Sequence, residues 1–352
     1  MDLDSRTFLV ALAALVLAAV SAAAVHWPRL GGRTPAHALG RVLVLALCQL
    51  LAVALVLVSV NDRYGIYTSW RDLFGKGSSS QPTFQPGDPR RYGNGSLALE
   101  PAANGWQQAT LNGVHSGLSG AVYVWLPPQY TQPQYAKYRF PVLELLHGVP
   151  GAPENWTNGF NAAGALAADV AAGRAQPFVL VAPAITFNGQ DTMCSDAPGG
   201  PKIDTWLTLD VRTAVQSTLR VSPSADGWGL LGISTGGLCA SKLALQHAGE
   251  YRAAASLAGD AANTSTLLDH QQRDANSPLW LLANRPAPNV DLLLAASRED
   301  ATTAADAEAL AAAVSPPTTA TLMIQPTGGH NPGVWNGMLP GVFTWLSRVL
   351  TA

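Results

Sequence analysis

The sequence predicts an α/β protein: a mainly parallel sheet with helices on both faces, preceded by two transmembrane helices. Three observations carry that prediction. Two long uncharged apolar runs stand at the front of the 352-residue chain, a Gly/Ser/Pro/Gln-rich stretch follows, and short apolar runs then alternate with longer helical ones. The implied organisation is a membrane anchor over 1–74, a flexible linker over 75–94 and one α/β domain over 95–352.

The front segments come first. Hydrophobic residues make up 48% of the chain and charged ones 12%, against roughly 25% charged in ordinary globular proteins. The excess apolarity lies in Thr7 to Val25 and Val42 to Val60, which predict transmembrane helices over about 7–25 and 42–60. Each is close to the ~20 residues that span a hydrocarbon core, and neither shows the polar face of a soluble surface helix. A cleaved signal peptide is the alternative for the first segment, through the small residues Ala22-Ala23-Ala24. Against it, the leading tail carries Asp2, Asp4 and Arg6 instead of a basic stretch. Arg29, Arg33 and Arg41 between the spans favour a cytoplasmic connecting loop, which would put the large C-terminal domain outside the cytoplasm. Arg63, Arg71 and Lys76 oppose that bias in part.

Several classes are excluded by composition. With 21 basic and 23 acidic side chains the net charge is −2, so no basic field exists to grip a nucleic-acid backbone. Three cysteines cannot build a disulfide-dense scaffold. No H-E-x-x-H, C-x-x-C pair or P-loop is present, so neither a metal nor a nucleotide cofactor is expected. The run from Gly75 to Asn94, with Gly77-Ser78-Ser79-Ser80, holds too little apolar area to fold and reads as a tether.

Within the domain, strands are predicted at Ala121–Leu126, Val142–Leu146, Phe178–Ala182, Trp228–Leu231, Ala253–Leu257, Asp291–Ala296 and Thr321–Gln325. Helices are predicted at Leu207–Leu219, Gly237–His247 and Ala304–Val314. Apolar strands alternating with helices give a parallel sheet covered on both faces. Chemistry in such sheets sits beyond the carboxyl ends of the strands.

One of those ends carries a nucleophile signature. Gly232-Ile-Ser234-Thr-Gly236 matches G-x-S-x-G between a strand and a helix. That context gives the motif its meaning: a sharp, strained elbow exposes the serine, and only small residues fit two positions to either side. The helix behind it directs its positive end at the site.

A serine needs a base, commonly a histidine oriented by a carboxylate. In α/β-hydrolases the chain order is Ser, then Asp or Glu, then His. Of His247, His270 and His330, only His330 follows the last strand in a loop, Pro326-Thr-Gly-Gly. His247 reads as a packing or surface residue and His270 as part of a solvated loop or helix face. For the acid, Asp300 lies three residues beyond Ser297 at the end of a strand, with Glu299 as the alternative and Asp260 as a third candidate. The turn His147-Gly148-Val149 after an early strand supplies one oxyanion amide, from Val149, and Thr235 supplies the other. His147 itself is expected to hold the turn.

Together these residues resemble the esterase D-like α/β-hydrolases and, within them, the secreted mycolyltransferases of actinobacteria. The resemblance covers about Val122 to Leu350. It rests on Leu146-His-Gly-Val-Pro-Gly with Asn155-Trp156, Thr205-Trp-Leu-Thr-Leu-Asp210, Gly232-Ile-Ser-Thr-Gly-Gly and Gly328-Gly-His-Asn331. Tyr64 to Trp70 resembles a stretch that follows the spans of membrane-anchored relatives. The resemblance implies an α/β-hydrolase fold and acyl transfer through a serine ester to water or a sugar hydroxyl. The mycolyltransferases use glutamate as the acid, where Asp300 is favoured here. General carboxylesterase, and not the narrower mycolyltransferase, is thus the expectation.

The expected activity is a membrane-anchored serine esterase or acyltransferase acting on an extracellular or cell-envelope ester, small-molecule, lipid or glycolipid, with no cofactor. The competing class is a catalytically silent hydrolase fold used as an envelope scaffold or binding protein. A peptidase on the same scaffold would need a peptide-binding lid. Cys48 reads as a packing residue in the second span. Cys194 and Cys239 are expected to pair in an oxidising compartment.

Overall fold

The computed structural model describes residues 6–32, 34–64 and 96–352. The linker expected over 75–94 lies outside the described residues, as does all but the first residue of the Tyr64–Trp70 stretch. The chain divides into two units, Met1–Ser79 and Ser80–Ala352, and each is taken by itself.

Among its described residues, the first unit holds α1 (Arg6–His26) and α2 (Pro35–Tyr64), joined through a 3₁₀ turn at Trp27–Leu30. Pro35 opens α2, where its missing N–H is no loss. Arg41, read from the sequence as part of the connecting loop, lies inside α2. The stretches Thr7–Leu30 and Pro35–Val60 have mean hydropathies of 2.7 and 2.8, with 0% and 6% of their most apolar windows buried. Core helices of a soluble protein would be covered. Here Leu17, Leu43, Leu50 and Leu57 stand exposed, on helices long and apolar enough to cross a bilayer.

The second unit is built on a nine-stranded sheet in the order β1-β2-β3-β5-β4-β6-β7-β8-β9. The strands are β1 (Glu100–Pro101), β2 (Gln107–Asn112), β3 (Ser119–Trp125), β4 (Val142–Leu146), β5 (Val179–Pro183), β6 (Trp228–Ile233), β7 (Ala253–Leu257), β8 (Asp291–Ser297) and β9 (Thr319–Gln325). From β5 to β9 all neighbours are parallel, while β1, β2 and β3 add an antiparallel edge. All seven predicted strands are present. The additional β1 and β2 carry no apolar run, and Gln107-Gln108 and Asn112 gave no signal of a strand.

Alternation on the central strands separates two cores. Val142 and Leu146 of β4 join Val211, Val215, Leu243 and Leu310 on one face. Leu143 and Leu145 join Leu166, Val342, Phe343 and Leu346 on the other. Such side-to-side alternation follows from the pleat, and burial on both faces explains why the parallel strands read as continuous apolar runs. The predicted helix Leu207–Leu219 begins earlier, as Ile203–Thr205, and passes through a π-helical stretch at Trp206–Val211 before Arg212–Thr218.

Crossovers from β4 lead to β5 on one side, whereas those from β6 lead to β7 on the other. The crevice beyond the carboxyl ends of β4 and β6 is therefore the switch point where α/β sheets open a site.

Candidate active site

Ser234 sits at that switch point. It has φ 52° and ψ −125° and caps the helix Thr235–Gln246. A non-glycine residue at positive φ is strained, and the surroundings must hold it there. They do so by close contact: a Cβ at Gly232 would lie 1.8 Å from Gly236 O, and one at Gly236 would lie 2.2 Å from Leu146 O. The Ser234 amide also donates to Leu257 O of β7 at 2.9 Å.

His330 Nε2 lies 2.9 Å from Ser234 Oγ, and His330 Nδ1 lies 2.6 Å from Asp300 Oδ2. Because an ionised carboxylate only accepts, Nδ1–H donates to Asp300 and Nε2 is left to accept from the serine hydroxyl. Asp300 Oδ2 also accepts from Thr303 Oγ1 at 2.6 Å. That residue lies one turn into the helix Ala301–Ala313, which Asp300 caps. The structure thus brings Ser234, His330 and Asp300 into one line.

Glu299 takes a different place. Its Oε2 accepts from the Gly328 amide at 2.8 Å, while Ser297 Oγ donates to Gly328 O. Gly328 has φ +102°, and a Cβ there would lie 2.4 Å from Val334 Cγ2. After His330 the chain turns at once into the helix Pro332–Val349, with Asn331 Oδ1 accepting from Gly333 N and Val334 N. The edge of one ring meets the face of the other between Trp335 and His330, centroids 4.9 Å apart. Both sides of the histidine loop are thereby held.

Asp260 lies near the line without joining it. Burial raises its carboxyl pKa, and the neighbouring charges of Asp306 and Asp300 push the same way, against the opposing influence of His330. Asp306 is engaged with the Ala261 amide at 3.0 Å. His247 pairs with Asp204 at 2.7 Å, and His270 with Asp274 at 3.1 Å on an exposed helix. Neither reaches the elbow.

The loop after β4 closes on the serine: a Cβ at Gly148 would lie 3.2 Å from Ser234 Cβ. Val149 follows in this loop. Thr235 is the first residue of the elbow helix, where an amide has no intrahelical acceptor. His147 is fully buried. Its Nδ1–H donates to Gly148 O at 2.8 Å and its Nε2 accepts from Ile185 N at 3.2 Å. Burial lowers its pKa to about 4, so it is neutral and ties the β4 loop to the end of β5.

Behind the elbow, Cys194 and Cys239 are joined by a disulfide with an S–S distance of 2.10 Å. Lys242, three residues on from Cys239, is fully buried. Its Nζ donates to Cys194 O, lies 3.2 Å from Asp204 Oδ2 and 3.4 Å from Asn276 Oδ1. Burial lowers the Lys242 pKa against the pull of Asp204. For Asp204 burial works upward, but Lys242 and His247 outweigh it and hold the carboxyl at about 2.

Sequence reasoning did not anticipate Thr303, Trp335, or Glu299 and Ser297 as holders of the histidine loop. Asp300-x-x-Thr303 at the start of a helix was the available signal for the first.

Comparison with known proteins agrees with this architecture. Residues 118–341 match the esterase family described as "Putative esterase". An uncharacterized protein of Corynebacterium glutamicum (Cgl0967/cg1104) is 27% identical over 180 residues, 49% of this chain and 38% of that relative's length. Among solved structures, a ferulic acid esterase superposes with a TM-score of 0.62 at 18% identity, covering 72% of this chain and all of that one. An S-formylglutathione hydrolase from Agrobacterium tumefaciens gives 0.59 at 15% identity, covering 73% and 100%. Mycobacterium tuberculosis MPT51 (FbpC1) gives 0.54 at 15%, covering 73% and 100%. At these identities the superpositions show a shared fold. With the profile matching well over half of its length, the chain belongs to this esterase family of α/β-hydrolases.

Proposed function

We propose that the protein is a membrane-anchored serine esterase or acyltransferase working through an acyl-enzyme on Ser234. The carrying observation is the hydrogen-bonded line from Ser234 Oγ through His330 to Asp300, at 2.9 and 2.6 Å. In the reaction, Oγ attacks the ester carbonyl carbon while His330 Nε2 takes its proton. Asp300 holds the imidazolium that results. The amides of Val149 and Thr235 face the carbonyl oxygen as it gains charge, each such donor contributing roughly 3 kcal/mol in comparable sites. His330 then returns the proton to the departing alcohol. Water or an acceptor hydroxyl repeats the sequence on the acyl-serine and restores the free enzyme.

α1 and α2 anchor the enzyme in a bilayer, and the arginines around their connection favour an extracytoplasmic second unit. The Cys194–Cys239 bond supports that side, since disulfides persist in oxidising compartments. The substrate is an ester of the cell envelope or its surroundings, small-molecule, lipid or glycolipid in kind. Two fold neighbours, the ferulic acid esterase and the S-formylglutathione hydrolase, are hydrolytic enzymes by name.

The test is fluorophosphonate labelling of the full chain in detergent, with the modified peptide mapped by mass spectrometry. Modification at Ser234, lost in Ser234→Ala, is expected. A folded protein that takes no label would favour the silent scaffold instead.

A further inference from the structure

The connection between α1 and α2 carries charge of one sign. Residues 5–61 include no Asp or Glu, yet Arg29 and Arg41 stand at its two sides and Arg33 lies between them in sequence. The opposite ends of the two apolar runs differ. There the sequence sets Asp2 and Asp4 beside Arg6, and Asp62 beside Arg63, so acid and base offset one another.

Helix length fixes the depth of these arginines in a bilayer. A hydrocarbon core of roughly 30 Å takes about 20 helical residues, which the uncharged runs 7–25 and 42–60 supply. Arg29, in the 3₁₀ turn, and Arg41, at the start of the second run, then both fall in the head-group layer on one side. The turn doubles back onto the first turns of α2. A Cβ at Gly40 would lie 3.0 Å from Leu30 Cδ2, and one at Gly32 would lie 2.7 Å from the His37 ring. Arg29 and Arg41 are the chain neighbours of Leu30 and Gly40. Arg29 Nη1 donates to His26 Nδ1 at 2.9 Å. Among the described residues neither guanidinium has a carboxylate partner.

We infer that this connection binds the phosphodiester head group of an anionic phospholipid through Arg29 and Arg41. The inference rests on the reading of α1 and α2 as a membrane anchor. Cations at the rim of a hydrocarbon layer need a counter-charge, and the chain supplies none nearby. A planar guanidinium pairs with phosphate oxygens through two parallel N–H bonds. Lipid fits better than a soluble acidic partner, because Leu39, Val42, Leu43 and Leu45 around Arg41 are exposed. Acyl chains cover such a surface, whereas water does not. A zwitterionic lipid offers the same phosphate but brings a cation of its own, which the arginines repel. A net-anionic head group does not.

Trp27 supplies the reporter, two residues from Arg29 and 41% exposed. The full chain is placed in vesicles mixing phosphatidylcholine and phosphatidylglycerol, with brominated acyl chains on one lipid or the other. Bromine quenches indole at close range, and the quenching that disappears in Trp27→Phe reports the lipid beside the connection. Phosphatidylglycerol should be preferred there by about fivefold, the scale of one arginine at an anionic surface. Arg29→Gln/Arg41→Gln should cut that ratio by about threefold or more, and Arg29→Lys/Arg41→Lys should keep more of it than the glutamine pair. Raising salt from about 0.05 to about 1 M should shrink the wild-type ratio, which decides the matter should the glutamine variant fail to insert.

A wild-type ratio near one, a ratio indifferent to salt, or a wild-type ratio in the inserted glutamine variant would overturn the inference. Lysine and glutamine variants that lose the preference equally would do the same. Loss of the preference on adding inorganic phosphate at constant ionic strength would assign the arginines to a free anion instead. Equal quenching by the two lipids leaves the anchor standing and removes only the lipid preference. No Trp27-dependent quenching by either lipid would refute the anchor, and the inference with it.

Discussion

Glu299 and Asp300 are neighbours in sequence, yet they hold different parts of one loop. Asp300 Oδ2 meets His330 Nδ1 at 2.6 Å, while Glu299 Oε2 takes the Gly328 amide at 2.8 Å, two residues earlier. One carboxylate touches the imidazole and the other fixes the backbone that carries it.

The two should therefore separate kinetically. Asp300→Asn is expected to lower kcat for p-nitrophenyl acetate hydrolysis by about 10⁴-fold, the scale seen when a triad carboxylate becomes an amide. Glu299→Gln keeps an acceptor for the Gly328 amide and should cost about tenfold or less, well below the loss when a catalytic group is removed. Equal losses, or a larger one at Glu299, would reverse the assignment.

Gly328 offers an independent test. Its φ of +102° and the 2.4 Å approach to Val334 leave no room for a side chain. Gly328→Ala should destabilise the protein by about 1–3 kcal/mol and reduce fluorophosphonate labelling by shifting His330. Denaturant unfolding and labelling rates measure the two effects. Unchanged rates would mean the loop position does not matter to the serine.

Two buried groups predict a pH dependence of stability with opposite signs. His147 has its pKa lowered to about 4 by burial. Between about 6.5 and 4 the unfolded chain therefore binds the extra proton, and stability falls as pH drops. Glu144, in β4, accepts from Tyr251 Oη at 2.8 Å, and burial raises its pKa to about 8 despite that bond and the nearby Arg212. Its folded form stays protonated, so stability falls as pH rises from about 4.5 to about 8. The effects oppose each other across the shared window. Glu144→Gln should abolish a loss on the order of 2 kcal/mol between pH 6.5 and 8, and in that background the acid-side fall of His147 should emerge. Urea unfolding across pH reads both slopes, and an unchanged alkaline slope in Glu144→Gln would refute the first.

The disulfide closes a separation of 45 residues between Cys194 and Cys239. By the chain-entropy relation a loop of that size contributes about 4 kcal/mol. Cys239→Ser, or reduction, is expected to lower the denaturation midpoint accordingly. Thiol titration of the unreduced, unfolded chain should find one reactive group, Cys48. Three would exclude the bond.

Anchoring has its own test. The full chain should sediment with membranes and resist extraction by high salt and carbonate, whereas detergent should release it. An alkaline phosphatase fusion at Ala352 should be active if the second unit faces away from the cytoplasm. An inactive fusion to a stable protein would invert the orientation.

Legibility followed physical signal. The parallel strands were readable because burial on both faces leaves an apolar run, as in Val142-Leu-Glu-Leu-Leu146. β2 was not, because its outward residues Gln108, Thr110 and Asn112 are exposed at the sheet's antiparallel end, diluting the pattern to Ala109 and Leu111. The elbow was readable from Gly232, Ser234 and Gly236 alone, since the steric demand falls on short-range neighbours. Arg41 reads as loop in the sequence because a charge ordinarily ends an apolar span, yet the helix begins at Pro35. Asn104, Asn158, Asn161 and Asn336 come together from three separate segments, and no spacing rule joins Asn104 to Asn336. Thr303 and Trp335 act through the tertiary approach of their helices to Asp300 and His330, which local pattern does not encode.

The order in which these parts occur along the chain has a bearing on synthesis. The elbow needs only β4, β6 and β7, so the nucleophile can be in place once Leu257 is paired. Its base waits for β9 and the loop to His330, which follow later in the chain. A polypeptide interrupted anywhere between those points would present a shaped serine with nothing to deprotonate it. On the function proposed above, acyl chemistry is thereby withheld from any chain that stops short of His330.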